Sequence, residues 1–185
     1  MSLTAPKPRE ALHERRIDCT GYQRADGLWD IEAHLTDAKT YSFSNAHRGE
    51  IVPGSPFHDM WLRLTLDDGL VVREVEAAIE AGPFRICGDI TPAFAELKGL
   101  KIGPGWHKRV RQRLGGIHGC THLVELLGPM GTVAYQTVFS ERGRTRKRAP
   151  DEKPGHLDSC HALRSDGEVV KEFYPEWYTG QSGRP

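Results

Sequence analysis

The sequence predicts an α+β protein, an antiparallel sheet of hairpins with helices on one face. Three observations carry this. Short alternating apolar runs fill the first half, tight-turn segments separate those runs, and glycine- and proline-bracketed helical patterns dominate from Pro83 to about residue 140.

Residues 1–14 are polar and proline-containing, and read as a flexible tail. "IDCTGY" and "LWDIEAHL" then alternate around "RADG", whose Asp26-Gly27 pair suits a tight turn, so the first element is a hairpin. "TDAKTYSFSNAHRGEIVPGSP" is dense in turn formers and reads as a loop, or as a strand extended by a long connection. "MWLRLTL" alternates up to "DDG" and "LVVREVEAAI" follows it. The spacing predicts a second hairpin with Met60, Leu62, Leu64 and Leu66 on its buried face.

"TPAFAELKGL" predicts a helix capped by Thr91, with Pro92 in its first turn and Gly99 as its stop. "GPGWHKRVRQRLGG" predicts a short basic helix. "CTHLVELLGPMGTVAYQTVFSER" predicts the longest one, bent or broken at Gly128-Pro129. A basic loop follows over 141–155, then a terminal hairpin over 156–178 that turns at "SDG", and a tail over 179–185. The expected organisation is one domain over 15–178 with its core at 54–140.

Twenty-five basic and 25 acidic residues cancel, so no whole-chain charge draws the protein to nucleic acid or to an anionic membrane. No apolar stretch approaches the ~20 residues of a membrane helix. The start "MSLTAPKPRE" lacks the apolar core of a secretion signal, so the expected compartment is the cytoplasm. In that reducing setting the four widely spaced cysteines are expected as free thiols or metal ligands.

The groups able to hold a soft or borderline ion are Cys87, His118, Cys120 and His122 in the helical half, with His58 at the mouth of the "MWLRLTL" strand. Cysteine and histidine suit zinc or iron. There is no CxxC or HExxH, so spacing alone defines no site. Taken alone, Cys87 is equally well a small buried hydrophobe. Cys120 and His122 precede an apolar helix start, where the helix dipole favours a thiolate, and there the metal reading overtakes plain packing. His118 reads as a solvated loop residue and Cys19 as core. Cys160 and His161 are neighbours that a strand would point to opposite faces. Arg24, Asp26, Glu32, His34 and Asp37 cluster on the first hairpin, lining either a substrate cleft or a solvated strand face. "RGRTRKR" is a solvated loop or an anion-binding segment.

Through "GYQRADGLW", "PFHDMWLRLTL", "ICGDITPAFAELKGLKIGPGW" and "LGGIHGCTHLVELL" the chain, from about residue 15 onward, resembles a bacterial family known only as a domain of unknown function. Residues 54–140 are also similar, in the order of their segments, to the iron-sulfur scaffold proteins of the IscU, NifU and SufU kind. That resemblance implies a scaffold-like core with added N- and C-terminal hairpins. It aligns His58 with a liganding Asp, Cys87 with a second cysteine and Cys120 with a third. The scaffolds' first cysteine falls at Pro56, which cannot ligate, so the resemblance implies a mononuclear site of His58, Cys87, Cys120 and possibly His122, not a cluster.

The expected function is therefore a small-molecule enzyme with one Zn or Fe per chain, acting as a hydrolase or lyase through a polarised carbonyl or activated water. Asp59, Arg24 and Tyr22 are the expected catalytic hydrogen-bonding partners. Four tryptophans and several tyrosines favour an aromatic or acyl substrate. The alternatives are a sulfur-transfer or iron-sulfur assembly accessory, and an interaction domain closed around a structural zinc.

Overall fold

A computed structural model describes residues 3–145 and 152–180. The chain divides into two compact units, residues 1–142 and 143–185.

The first unit is a four-stranded antiparallel sheet in the order β1-β2-β5-β6, formed by β1 (His13–Gln23), β2 (Trp29–Lys39), β5 (Pro56–Leu66) and β6 (Val72–Ala81). Between β2 and β5, the segment expected as a loop folds into a small separate hairpin, β3 (Phe43–Asn45) and β4 (Gly49–Ile51). Arg48 pins that hairpin by donating to the Pro56 and Phe57 carbonyls at 3.0 and 3.1 Å.

Period-two alternation decides which face is dry. On β2, Trp29, Ile31, Ala33 and Leu35 are buried, and across the ladder they face Leu66, Leu64, Leu62 and Met60 in turn. The expected buried face of the second hairpin is thus the observed one. The other face of the sheet carries pairs such as Arg63 with Glu32 and Glu76, and a His34 ring stacked on Trp61 at 3.8 Å.

Helices cover the dry face. The helix expected to begin at Thr91 is present as a 3₁₀ stretch that starts earlier, Arg85–Leu97. Thr91 does not cap it, because its hydroxyl donates back to the Gly88 carbonyl at 3.0 Å. Helix α1 (Trp106–Leu114) and helix α2 (Thr121–Thr145) follow. Leu123, Leu126, Leu127, Met130, Ala134 and Val138 recur at helical spacing on α2, and all are buried in the core. The helix runs unbroken through Pro129, which removes one of the two outcomes, a bend or a break, expected there. Where α2 crosses β1, a Cβ on Gly21 would lie 2.1 Å from the Thr137 hydroxyl, so only glycine permits this approach.

In the second unit the expected terminal hairpin is not formed. Among its described residues there are only helical pieces: a 3₁₀ turn at His161–Leu163, helix α3 (Glu168–Phe173) and a 3₁₀ turn at Pro175–Trp177. The "SDG" segment does not join strands, because the Ser165 amide and hydroxyl both bond Asp158, at 2.8 and 2.6 Å, and Gly167 leads straight into α3. Part of the expected basic loop, residues 146–151, lies outside the described residues.

Candidate metal centre

Register and burial together create the site. Asp37 has the same parity on β2 as Leu35 and Ala33, so the alternation that buries those apolar residues also buries a carboxylate, which is 1 % exposed. A register shift between Asp37 and Ala38 ends the regular pairing there, a common place for a bulge beside a site. Directly opposite on β5 stands His58, 7 % exposed, and opposite on β1 stands Arg15.

A buried carboxylate must be matched by donors. Arg15 grips Asp37 with two bonds of 2.7 Å, one to each oxygen, and His58 Nδ1 donates to Oδ2 at 2.8 Å. His13 Nε2 approaches Oδ1 at 3.2 Å. The remaining arm of Arg15 reaches Glu125 on α2, which ties the sheet to the helix.

One turn earlier on α2, the His122 ring lies over His58 with centroids 3.9 Å apart. The Cys120 sulfur sits 3.9 Å from His122 Nδ1. The Phe57 ring packs edge-on against His58 at 4.8 Å, and Phe43 of the small hairpin packs on Phe57 at 5.1 Å. Asp37, His58 and His122 bring one ligand-capable atom each within 4.8 Å of one another, the spacing of a possible metal-binding group.

Burial raises the Asp37 carboxyl, but the bonds and charges of Arg15 and His58 outweigh it and hold the group at about 2. Burial pushes His58 down, and its neighbour His122 adds to that against the pull of Asp37. His122 is lowered by burial and by the Arg15 charge. Both imidazoles are therefore held toward the neutral form, the form that ligates metal.

A pH dependence of stability follows. An imidazole lowered in the folded state takes up protons more readily when unfolded, so the two histidines cost stability as pH falls below their ordinary 6.5. A carboxylate lowered in the fold stabilises above its ordinary 3.8, and that contribution fades as pH falls toward about 2. The urea midpoint of metal-free protein should be flat from pH 9 to 7, fall from about 6.5 downward, and fall again below about 4. Replacing His122 by Gln should shallow the first fall; a midpoint unchanged between pH 7 and 5 would count against two imidazoles held toward neutrality by the fold.

The sequence-derived residues divide sharply. His58 and His122 meet, and Cys120 lies beside them, half-buried. Cys87 is outside the group: its 3₁₀ stretch packs on the end of β6, and its thiol faces Gly82, where an added Cβ would lie 3.2 Å from the sulfur. Asp59 neighbours His58 on β5 and so points to the opposite face, where it bonds His34 at 2.7 Å. Tyr22 pairs with Asp30 on the ladder, roughly 23 Å along the strand from Asp37, and Arg24 binds Asp26 in the turn beyond it. Neither belongs to this centre. All four cysteines are free thiols.

Sheet, covering helices and buried histidine–aspartate cluster define an α+β protein with a candidate metal centre where one end of the sheet meets a helix start. Residues 13–136 match the family described as "Protein of unknown function (DUF2889)", and the chain belongs to that family. The matched stretch includes the whole cluster, from His13 to Glu125. No curated protein and no solved structure matches the chain. No described helix is long and apolar enough to cross a membrane.

Proposed function

We propose that the protein is a metal-dependent enzyme acting on a small molecule, with one zinc or iron ion held at His58 and His122 beside Asp37. The observation that carries this is the approach of three ligand-capable side chains from β2, β5 and α2 to within 4.8 Å. Two neutral imidazoles and a carboxylate form a donor set that both ions accept. Bound there, the ion would supply a polarised carbonyl or an acidified water, the chemistry of a hydrolase or lyase.

The chain's own groups complete the arrangement. Arg15 keeps the carboxylate ionised, Asp37 holds the His58 ring, and Phe57 and Phe43 form an apolar wall beside that ring. Such a wall suits an aromatic or acyl substrate. The iron-sulfur assembly alternative needs further liganding cysteines, and Cys87 does not join the cluster.

Elemental analysis of untagged protein should give close to one zinc or iron per chain. The variants His58→Ala and His122→Ala should lose it, and Asp59→Asn should keep it. On a panel of aryl and acyl esters and thioesters, His58→Ala should reduce any turnover by at least about 100-fold while remaining folded. Protein that binds no zinc or iron and still turns over would favour a second reading. In that reading His58, with Nδ1 bonded to Asp37, works through Nε2 as a general base without metal.

A further inference from the structure

Lys39 stands two residues beyond Asp37 on β2 and directly opposite His13 on β1, and His13 Nε2 reaches back to Asp37 at 3.2 Å. Alternation therefore puts the lysine on the face of β2 that carries Asp37. It lies roughly 7 Å further along the strand, about the distance between groups at opposite ends of a benzene ring.

The ammonium is held in place. Lys39 Nζ donates to the Tyr41 hydroxyl at 3.0 Å and lies over the Tyr41 and Phe43 rings, 5.1 and 5.5 Å from their centres. Phe43 packs on Phe57 and Phe57 on His58, so one run of aromatic rings leads from the ammonium to a candidate metal ligand.

Positive charge is left over at the far end of that run. Among the described residues the Lys39 ammonium has no carboxylate partner, and its hydrogen bond to Tyr41 occupies one of three N–H groups. Arg48 spends its bonds on the Pro56 and Phe57 carbonyls, which leave its charge unmatched. The acids of the same segments are taken or turned away. Arg15 holds Asp37 and Glu125, and Glu50 stands opposite Ser44 on the small hairpin, on the face away from Phe43 and Ile51.

Resting on the metal-centre reading above, we propose that Lys39 is a specificity-determining residue that anchors the carboxylate of the substrate. The substrate class is then an aryl or acyl compound with an acidic group at one end. Its apolar body lies along Phe43 and Phe57, and its other end reaches the ion at His58 and His122. A molecule of the same shape without the acidic group fills the wall and leaves the ammonium to water.

The test is an NMR titration of the full-length protein, as purified and after removal of metal, with 4-acetamidobenzoate and with its neutral amide, 4-acetamidobenzamide. In both forms the acid should bind about 10-fold more tightly than the amide, the scale of one hydrogen bond to a charged group. The preference should shrink as salt is raised. Lys39→Met should abolish it and Lys39→Arg should keep most of it, while both variants take up zinc, or Co(II) as its spectroscopic substitute, as the wild type does. Equal binding of acid and amide, binding of neither, or a preference that survives Lys39→Met overturns the anchor and leaves the metal centre standing. A preference seen only with metal bound assigns the carboxylate to the ion and also overturns the anchor. A chain that takes up no zinc, iron or cobalt, yet keeps a preference that depends on Lys39, overturns the metal centre and leaves the anchor.

Discussion

Replacing Asp37 by Ala is expected to destabilise the metal-free protein by about 3–5 kcal/mol, the range found when one partner of a buried charge pair is removed. The physical reason is what remains. The partly exposed Arg15 guanidinium loses two bonds, and His58 loses the acceptor of its Nδ1–H at a position with almost no access to water. With both histidines already held toward neutrality, nothing else in the cluster supplies negative charge except Glu125, which is bound to a different arm of Arg15. The thermal midpoint should fall by about 10 °C. The double variant Asp37→Ala, Arg15→Met should cost clearly less than the sum of the two singles, because each single leaves the other partner stranded. A single-variant loss below about 1 kcal/mol would show that the carboxylate is solvated in the native protein and that the saturated network does not form.

The sheet was legible because its signal is local. The alternation in "LWDIEAHL" and "MWLRLTL" names the buried face of β2 and β5 residue by residue. Had the parity been followed two residues further on β2, it would have marked Asp37 as buried, and a buried carboxylate demands partners. His13 and Arg15 escaped notice because they stand at the polar start of β1, where local composition resembles a tail and only pairing with β2 makes a strand. Their role is set by cross-strand register, His13 opposite Lys39 and Arg15 opposite Asp37, which no short window contains. The pairing of His58 with His122 was legible as residue types suited to one ion. Cys87, by contrast, was placed with them by segment order, and order does not specify which way a 3₁₀ stretch turns its thiol. The terminal hairpin failed for a related reason. A turn-forming "SDG" serves a helix start as readily as a hairpin, and the Ser165 to Asp158 bonds decide between them.

The second large effect should come from a residue with no chemistry at all. Gly21→Ala places a Cβ 2.1 Å from the Thr137 hydroxyl and 2.9 Å from its Cβ, so strand β1 or helix α2 must move. Overpacking of this kind costs about 1–3 kcal/mol, and here the displaced element is the one that carries His122. Thr137 and His122 are 15 residues apart on one helix, roughly 22 Å. A tilt that relieves the clash at one end therefore changes the approach of the imidazole at the other. Gly21→Ala should accordingly lower both the urea midpoint and the affinity for Co(II), although it touches no candidate ligand. Thr137→Ala removes the hydroxyl and methyl but keeps the Cβ, and should be close to neutral alone. Combined with Gly21→Ala it should recover about half of each loss, the non-additivity expected of two groups competing for one space. If the midpoint recovers in the double variant and cobalt affinity does not, the helix position and the metal centre are not coupled through this crossing.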